Sequence, residues 1–179
     1  MRITWPTVIT LLRIGIIPVI VWLIITKQWL LAGTLLAFAM LTDFLDGLIA
    51  RRFHLTTKVG ALLDALADKA LMLSLFLTFL IVPTYLPSWF VWLVLIKEFI
   101  VLCAAFILLQ RHYVIVIAPL FLEKITMAAE MFLLLGMFFA MQFGLSFPVM
   151  LVEAVAGLIM ITLLAYSIMV WRLKRKHEV

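Results

Sequence analysis

Cysteine is almost absent. Cys103 is the single one in 179 residues, so the chain has no intramolecular disulfide available and its cysteine usage says nothing of redox compartment. Charge is scarce as well: 13% of residues are charged, against about a quarter in ordinary soluble domains, and 68% are hydrophobic. That balance excludes a conventional water-soluble core and surface. With only 7 glycines and 6 prolines there is no flexible linker or low-complexity segment, and no internal repeat is visible. A cleavable leader would need a small-residue site after the first apolar run; nothing near Ile24 to Lys27 offers one, so that run is expected to be retained. The net charge of +5 does not point to nucleic acid, because Arg172, Lys174, Arg175 and Lys176 follow directly on an apolar run, a pattern that fits anionic membrane lipids.

What is present is a succession of long apolar runs. Crossing about 30 Å of hydrocarbon takes about 20 helical residues. The sequence divides into six such runs, near 8–26, 30–51, 60–82, 88–110, 120–141 and 147–171, separated by polar or proline-containing breaks at 26–29, 52–59, 83–88, 111–119 and 142–147. The expected fold is therefore all-α, a polytopic membrane protein in which a bundle of six transmembrane helices forms one domain over residues 1–179. Sorting the basic residues onto alternate sides puts Arg2, Arg51, Arg52, Lys58, Arg111, Lys124 and the C-terminal cluster on one side and only Lys27 on the other. Cytoplasmic loops carry the Lys and Arg excess, so both termini are expected in the cytoplasm.

Four of the nine acidic residues, Asp43, Asp46, Asp64 and Asp68, lie in segments otherwise apolar enough to span. An ionisable group at the centre of such a helix costs about 2.5–3.5 kcal/mol on insertion scales, so these groups are expected to pair, to line a wet cavity or to serve function. At about 100° per residue, Asp43, Asp46, Gly47, Ala50 and Arg51 share one arc of the second helix, and Gly60, Asp64 and Asp68 follow one another along a face of the third. Counting 1.5 Å per residue from the short loop between them places Asp43 and Asp68 about 12 Å deep, and Asp46 and Asp64 about 6–8 Å. Carboxylates meeting in two facing layers repel one another strongly in a low dielectric, so a cation must neutralise them. Arg51 and Lys69 are candidates. Two divalent ions match the carboxylate count better, and hard oxygen donors favour Mg²⁺ or Mn²⁺. Gly47 and Ala50 on the acidic face, with Gly60 opening the next helix, leave room for a ligand to approach the backbone, although small residues also serve close helix packing in membranes.

Together these residues read D-x2-D-G-x2-A-R-x8-G-x3-D-x3-D, eight fixed positions within 26 residues, which resembles the signature of the CDP-alcohol phosphatidyltransferases. Pro6, Thr10 and Arg13 around the first helix and Ala67-Asp68-Lys69 extend the resemblance to most of the chain. It implies that Asp43, Asp46 and Asp64 hold metal and that Asp68 both contacts metal and acts as general base on an acceptor hydroxyl. It also implies a CDP-diacylglycerol site formed by Thr10, Arg13, Asp46, Gly47, Ala50, Arg51 and Gly60. The hydroxyl would attack the phosphorus that carries the diacylglycerol, with CMP leaving. A bacterial inner membrane is expected, the basic excess on one side and the depth of the aspartates put the active site toward the cytoplasm, and a homodimer is one assembly left open.

The acceptor is expected to be glycerol 3-phosphate, its phosphate held by Lys97, Arg111 and Lys124. Phosphatidylglycerol, the acceptor of the cardiolipin-synthase branch, stays open beside it. Where the glycerol 3-phosphate branch tends to carry further cations, this chain has Cys103, Ala104 and Ala105 after Lys97-Glu98, and Glu123 and Glu130 around Lys124. Lys97 and Glu98 are as readily an intramembrane ion pair as an acceptor site, and Glu130 as readily a structural acid as an acceptor contact. A cation channel or transporter built on the aspartates is a remote alternative. It would need polar groups continuing across the membrane, and beyond Asp43 and Asp68 the two helices offer only Ser74 and Thr78.

Overall fold

The computed structural model describes the backbone of residues 5–52, 58–110 and 117–175, and the side chains of residues 12–42, 45, 66–104 and 121–169. The described backbone forms six helices and no strand: α1 (Trp5–Ile25), α2 (Trp29–Arg52), α3 (Lys58–Phe79), α4 (Ser88–Gln110), α5 (Ile117–Phe143) and α6 (Val149–Arg175). The all-helical reading holds among the described residues, and each expected helix is present, α4 with the expected bounds and the others with ends displaced by up to four residues.

The shifts have local causes. Pro6 falls in the first described turn of α1, where a missing N–H is no loss. Pro119 likewise lies within α5, in its first described turn, rather than in the break before it. α3 stops at Phe79, since Pro83 disfavours helical backbone just before it; the chain tightens through the bonds Leu80 N to Leu77 O and Ile81 N to Thr78 O. α1 ends with Lys27 at φ 58°, and the paired bonds Gln28 N to Leu23 O and Lys27 N to Ile24 O close the last carbonyls. α5 ends in the same way, with Gly144 at φ 63° and Leu145 N bonded to Ala140 O.

The chain forms two compact units, residues 1–84 with 137–145, and residues 85–136 with 146–179. In the first, α1 packs against both α2 and α3. α1 contributes the buried stripe Ile17, Ile20 and Ile24, α2 contributes Ala32, Leu36 and Ala39, and α3 contributes Leu71, Met72, Leu75 and Phe76, all at helical spacing. Phe138 closes this core between Trp29 and Phe79, with ring centroids 6.2 and 6.0 Å away. Gly33 favours this close approach, because a Cβ on it would stand 3.3 Å from the Phe138 Cβ and the Phe138 side chain would have to give by a few tenths of an ångström. In the second unit α4 packs against α6, and Val101, Ala104, Tyr166 and Met169 form one buried cluster. The hydroxyls of Thr126 and Thr162, 2.7 Å apart and buried, bridge α5 to α6.

Within α5 and α6, the stretches Phe121–Phe143 and Val149–Met169, of 23 and 21 residues, are long and apolar enough to cross a membrane. Large apolar side chains such as Trp22, Phe38, Phe99, Phe132 and Met150 are exposed on helix after helix. Surface of that kind suits lipid rather than water. The chain is a membrane protein.

Candidate active site

The signature residues fall on two consecutive helices. Asp43, Asp46, Gly47, Ala50 and Arg51 occupy the last three turns of α2, and Gly60, Asp64 and Asp68 the first three of α3. Both sets therefore lie within about 15 Å of the ends joined by residues 53–57. The backbone of these positions is helical throughout, in keeping with the periodicity from which their common faces were read. The side chains of Thr10, Asp43, Asp46, Gly47, Ala50, Arg51, Gly60 and Asp64 lie outside the described residues, as does Arg111 altogether.

Asp68 is described, and it is not alone. Arg13 of α1 donates from Nη1 to Asp68 Oδ1 at 2.5 Å, and the two side chains are 4% and 15% exposed. The pairing follows from the helix faces. Arg13 continues the α1 stripe of Ile17, Ile20 and Ile24, and Asp68 precedes the α3 stripe of Leu71, Met72 and Leu75, so packing the two apolar seams brings the two charges to one level. Buried charges persist where they are paired and hydrogen-bonded, and this contact supplies both conditions. Arg13 was expected at the CDP-lipid and Asp68 at the base position. Their union is a contact between distant helices that helical spacing does not give; the signal available in sequence is a lone cation in an apolar helix, which needs an anion.

The three expected acceptor residues divide. Lys97 of α4 is fully buried, with Nζ 2.8 and 2.9 Å from the two carboxylate oxygens of Glu130, 2.6 Å from Glu98 Oε1 and 3.8 Å from Glu123 Oε1. Glu98 and Glu130 are equally buried. This is a four-residue ion cluster joining α4 to α5, and an ammonium has three protons to donate. Lys124 is exposed on α5. The structure thus sets Lys97 at ion-pair distance from Glu98 and gives Glu130 a hydrogen-bonded partner of opposite sign.

Carboxylates are the only side chains of metal-ligating type in the signature, and they are hard oxygen donors of the kind that Mg²⁺ and Mn²⁺ take, so the donor chemistry fits a divalent ion. Asp68 keeps part of its carboxylate accessible, as a group that must meet ligands requires.

The profile of one protein family, CDP-alcohol phosphatidyltransferase, matches residues 3–171. Among individual relatives, a "Probable cardiolipin synthase (CMP-forming)" of Drosophila melanogaster is 39% identical over 106 residues, 59% of this chain and 33% of that protein. A "CDP-diacylglycerol--glycerol-3-phosphate 3-phosphatidyltransferase" of Pectobacterium atrosepticum is 36% identical over 94 residues, 51% of this chain and 50% of the relative. One of the same name in Pseudomonas fluorescens is 42% identical over 79 residues, 42% and 40% of the two chains. The chain thus spans between a third and a half of the length of these curated relatives.

Proposed function

The chain belongs to the CDP-alcohol phosphatidyltransferase family, and on that premise we propose that it transfers a phosphatidyl group from CDP-diacylglycerol to the hydroxyl of glycerol 3-phosphate, releasing CMP. The observation that carries the reading is the complete signature from Asp43 to Asp68, set on α2 and α3 within the stretch that matches the family. The relatives named for glycerol 3-phosphate transfer support that acceptor.

In this reading Asp43, Asp46, Asp64 and Asp68 hold two divalent ions, Mg²⁺ or Mn²⁺. When bound, such ions neutralise the diphosphate and the charge that builds on departing CMP. Thr10, Asp46, Gly47, Ala50, Arg51 and Gly60 surround the CDP-lipid, the small residues giving the nucleotide access to the helix backbone. Asp68 takes the proton of the acceptor hydroxyl as its oxygen bonds to the diacylglycerol-bearing phosphorus. The bond from that phosphorus to the CMP oxygen breaks, and CMP carries away the electron pair. Residues 1–179 act as one domain whose six helices span a bacterial inner membrane. The excess of basic residues on one side favours cytoplasmic termini and a cytoplasmic active site, open to nucleotide from water and to acyl chains from lipid.

Phosphatidylglycerol is the second acceptor to consider. Lys97 donates to both carboxylate oxygens of Glu130 and stands at ion-pair distance from Glu98, which leaves less positive charge for an acceptor phosphate. The Drosophila relative carries the corresponding name. Purified protein given CDP-diacylglycerol, Mg²⁺ and both acceptors together separates the two by the mass of the lipid formed. Phosphatidylglycerophosphate is the expected product. Cardiolipin in its place would transfer the assignment to phosphatidylglycerol, and a protein that forms neither lipid would contradict both.

A further inference from the structure

Arg13 stands in the stretch where the family resemblance calls for a contact to the CDP-lipid. Its geometry gives it another partner. The guanidinium is 4% exposed and its Nη1 lies 2.5 Å from Asp68 Oδ1, the carboxylate assigned above as the base. We propose that Arg13 is a positioning residue, which acts on the reaction through Asp68 by fixing the orientation of that carboxylate, rather than by holding CDP-diacylglycerol. The inference rests on the role given to Asp68 in the proposed function.

An aspartate on a helix turns about two side-chain bonds, and base catalysis depends on where its oxygens point: a displacement of about 1 Å can cost on the order of 100-fold in rate. A restraint must therefore come from something that does not itself move. Arg13 qualifies, because its stem continues the buried α1 stripe of Ile17, Ile20 and Ile24 in the face of α1 that packs on its neighbours. A guanidinium stays charged at any physiological pH and donates in a fixed plane, so it sets direction as well as distance. A carboxylate has about four acceptor positions, so one N–H from Arg13 does not exhaust its capacity to take a proton. α1 thereby enters the catalytic geometry from outside the signature, which lies wholly on α2 and α3 and the residues between them.

The test compares wild-type protein with Arg13→Gln and Arg13→Lys in detergent, at saturating Mg²⁺ and acceptor. Three quantities are read: kcat for CMP release per lipid-binding site, KM for CDP-diacylglycerol, and the equilibrium Kd for radiolabelled CDP-diacylglycerol without acceptor. Arg13→Gln is expected to lower kcat about 10- to 100-fold, with KM and Kd within about twofold of wild type. Arg13→Lys, which keeps the charge and loses the planar fork, is expected to recover part of kcat. A purely structural role would reduce the number of binding sites and leave kcat per site unchanged. Raised Kd and KM with kcat retained would overturn the proposal and return Arg13 to the CDP-lipid, and unchanged kcat in both variants would overturn it too. If Arg13→Gln does not fold, Arg13→Lys decides by the same criteria. Wild-type protein that binds the lipid but releases no CMP would instead overturn the proposed function, and this inference with it.

Discussion

Asp68→Asn is expected to abolish most CMP release, with a fall of about 10²- to 10⁴-fold, the range that general base catalysis supplies. The substitution is nearly isosteric, and the amide oxygen can still accept the N–H of Arg13, so the contact between α1 and α3 is retained in kind. The amide cannot take the acceptor's proton and is a poorer ligand for a hard cation. Loss of turnover with a melting temperature close to wild type is thus the expected signature, measured as CMP formed from CDP-diacylglycerol beside a thermal unfolding curve in the same detergent. Turnover within a few-fold of wild type would remove Asp68 from the role of base and leave the Arg13 pair a structural contact only.

Lys97→Met is expected to have the largest effect on stability. Removing one partner of a buried ion pair costs about 3–5 kcal/mol, because the charge left behind has no counter-ion. Here three carboxylates, Glu98, Glu123 and Glu130, stand within 3.8 Å of one buried ammonium and would lose it together. Methionine has about the same length and fills the space, so the change isolates the charge. The double variant Lys97→Met/Glu130→Met deletes the pair rather than half of it and is expected to be more stable than Lys97→Met alone, a non-additivity that marks direct coupling. Unfolding in detergent, followed by a denaturant series, measures both. A single variant within about 1 kcal/mol of wild type would mean that the cluster carries little of the fold.

The apolar runs gave the helices at once, because in lipid every backbone polar group must be satisfied within the segment and a long apolar stretch has few other choices. Helix ends were less legible. Pro119 reads as a break until its place in a first turn is known, and the chain's turn at Lys27 uses a left-handed backbone that a lysine does not advertise. The signature, too, was visible as sequence: fixed spacings on a regular helix determine which residues share a face. What spacing could not give is the meeting of residues from different helices. Arg13 lies 55 positions from Asp68, and Lys97 lies 33 from Glu130, so each pair depends on how whole helices pack. The chemical hint was nonetheless present, since a lone cation in an apolar helix needs an anion somewhere.

CMP release by the purified chain tests the function most directly. With CDP-diacylglycerol and glycerol 3-phosphate present, CMP and new phospholipid should appear in equal amounts when Mg²⁺ or Mn²⁺ is supplied, and both should stop when the ion is chelated and resume on its return. Release of CMP that persists under chelation would contradict a carboxylate-held divalent site. Divalent-ion flux through liposomes containing the protein, with no CMP formed under any of these conditions, would contradict the transferase itself.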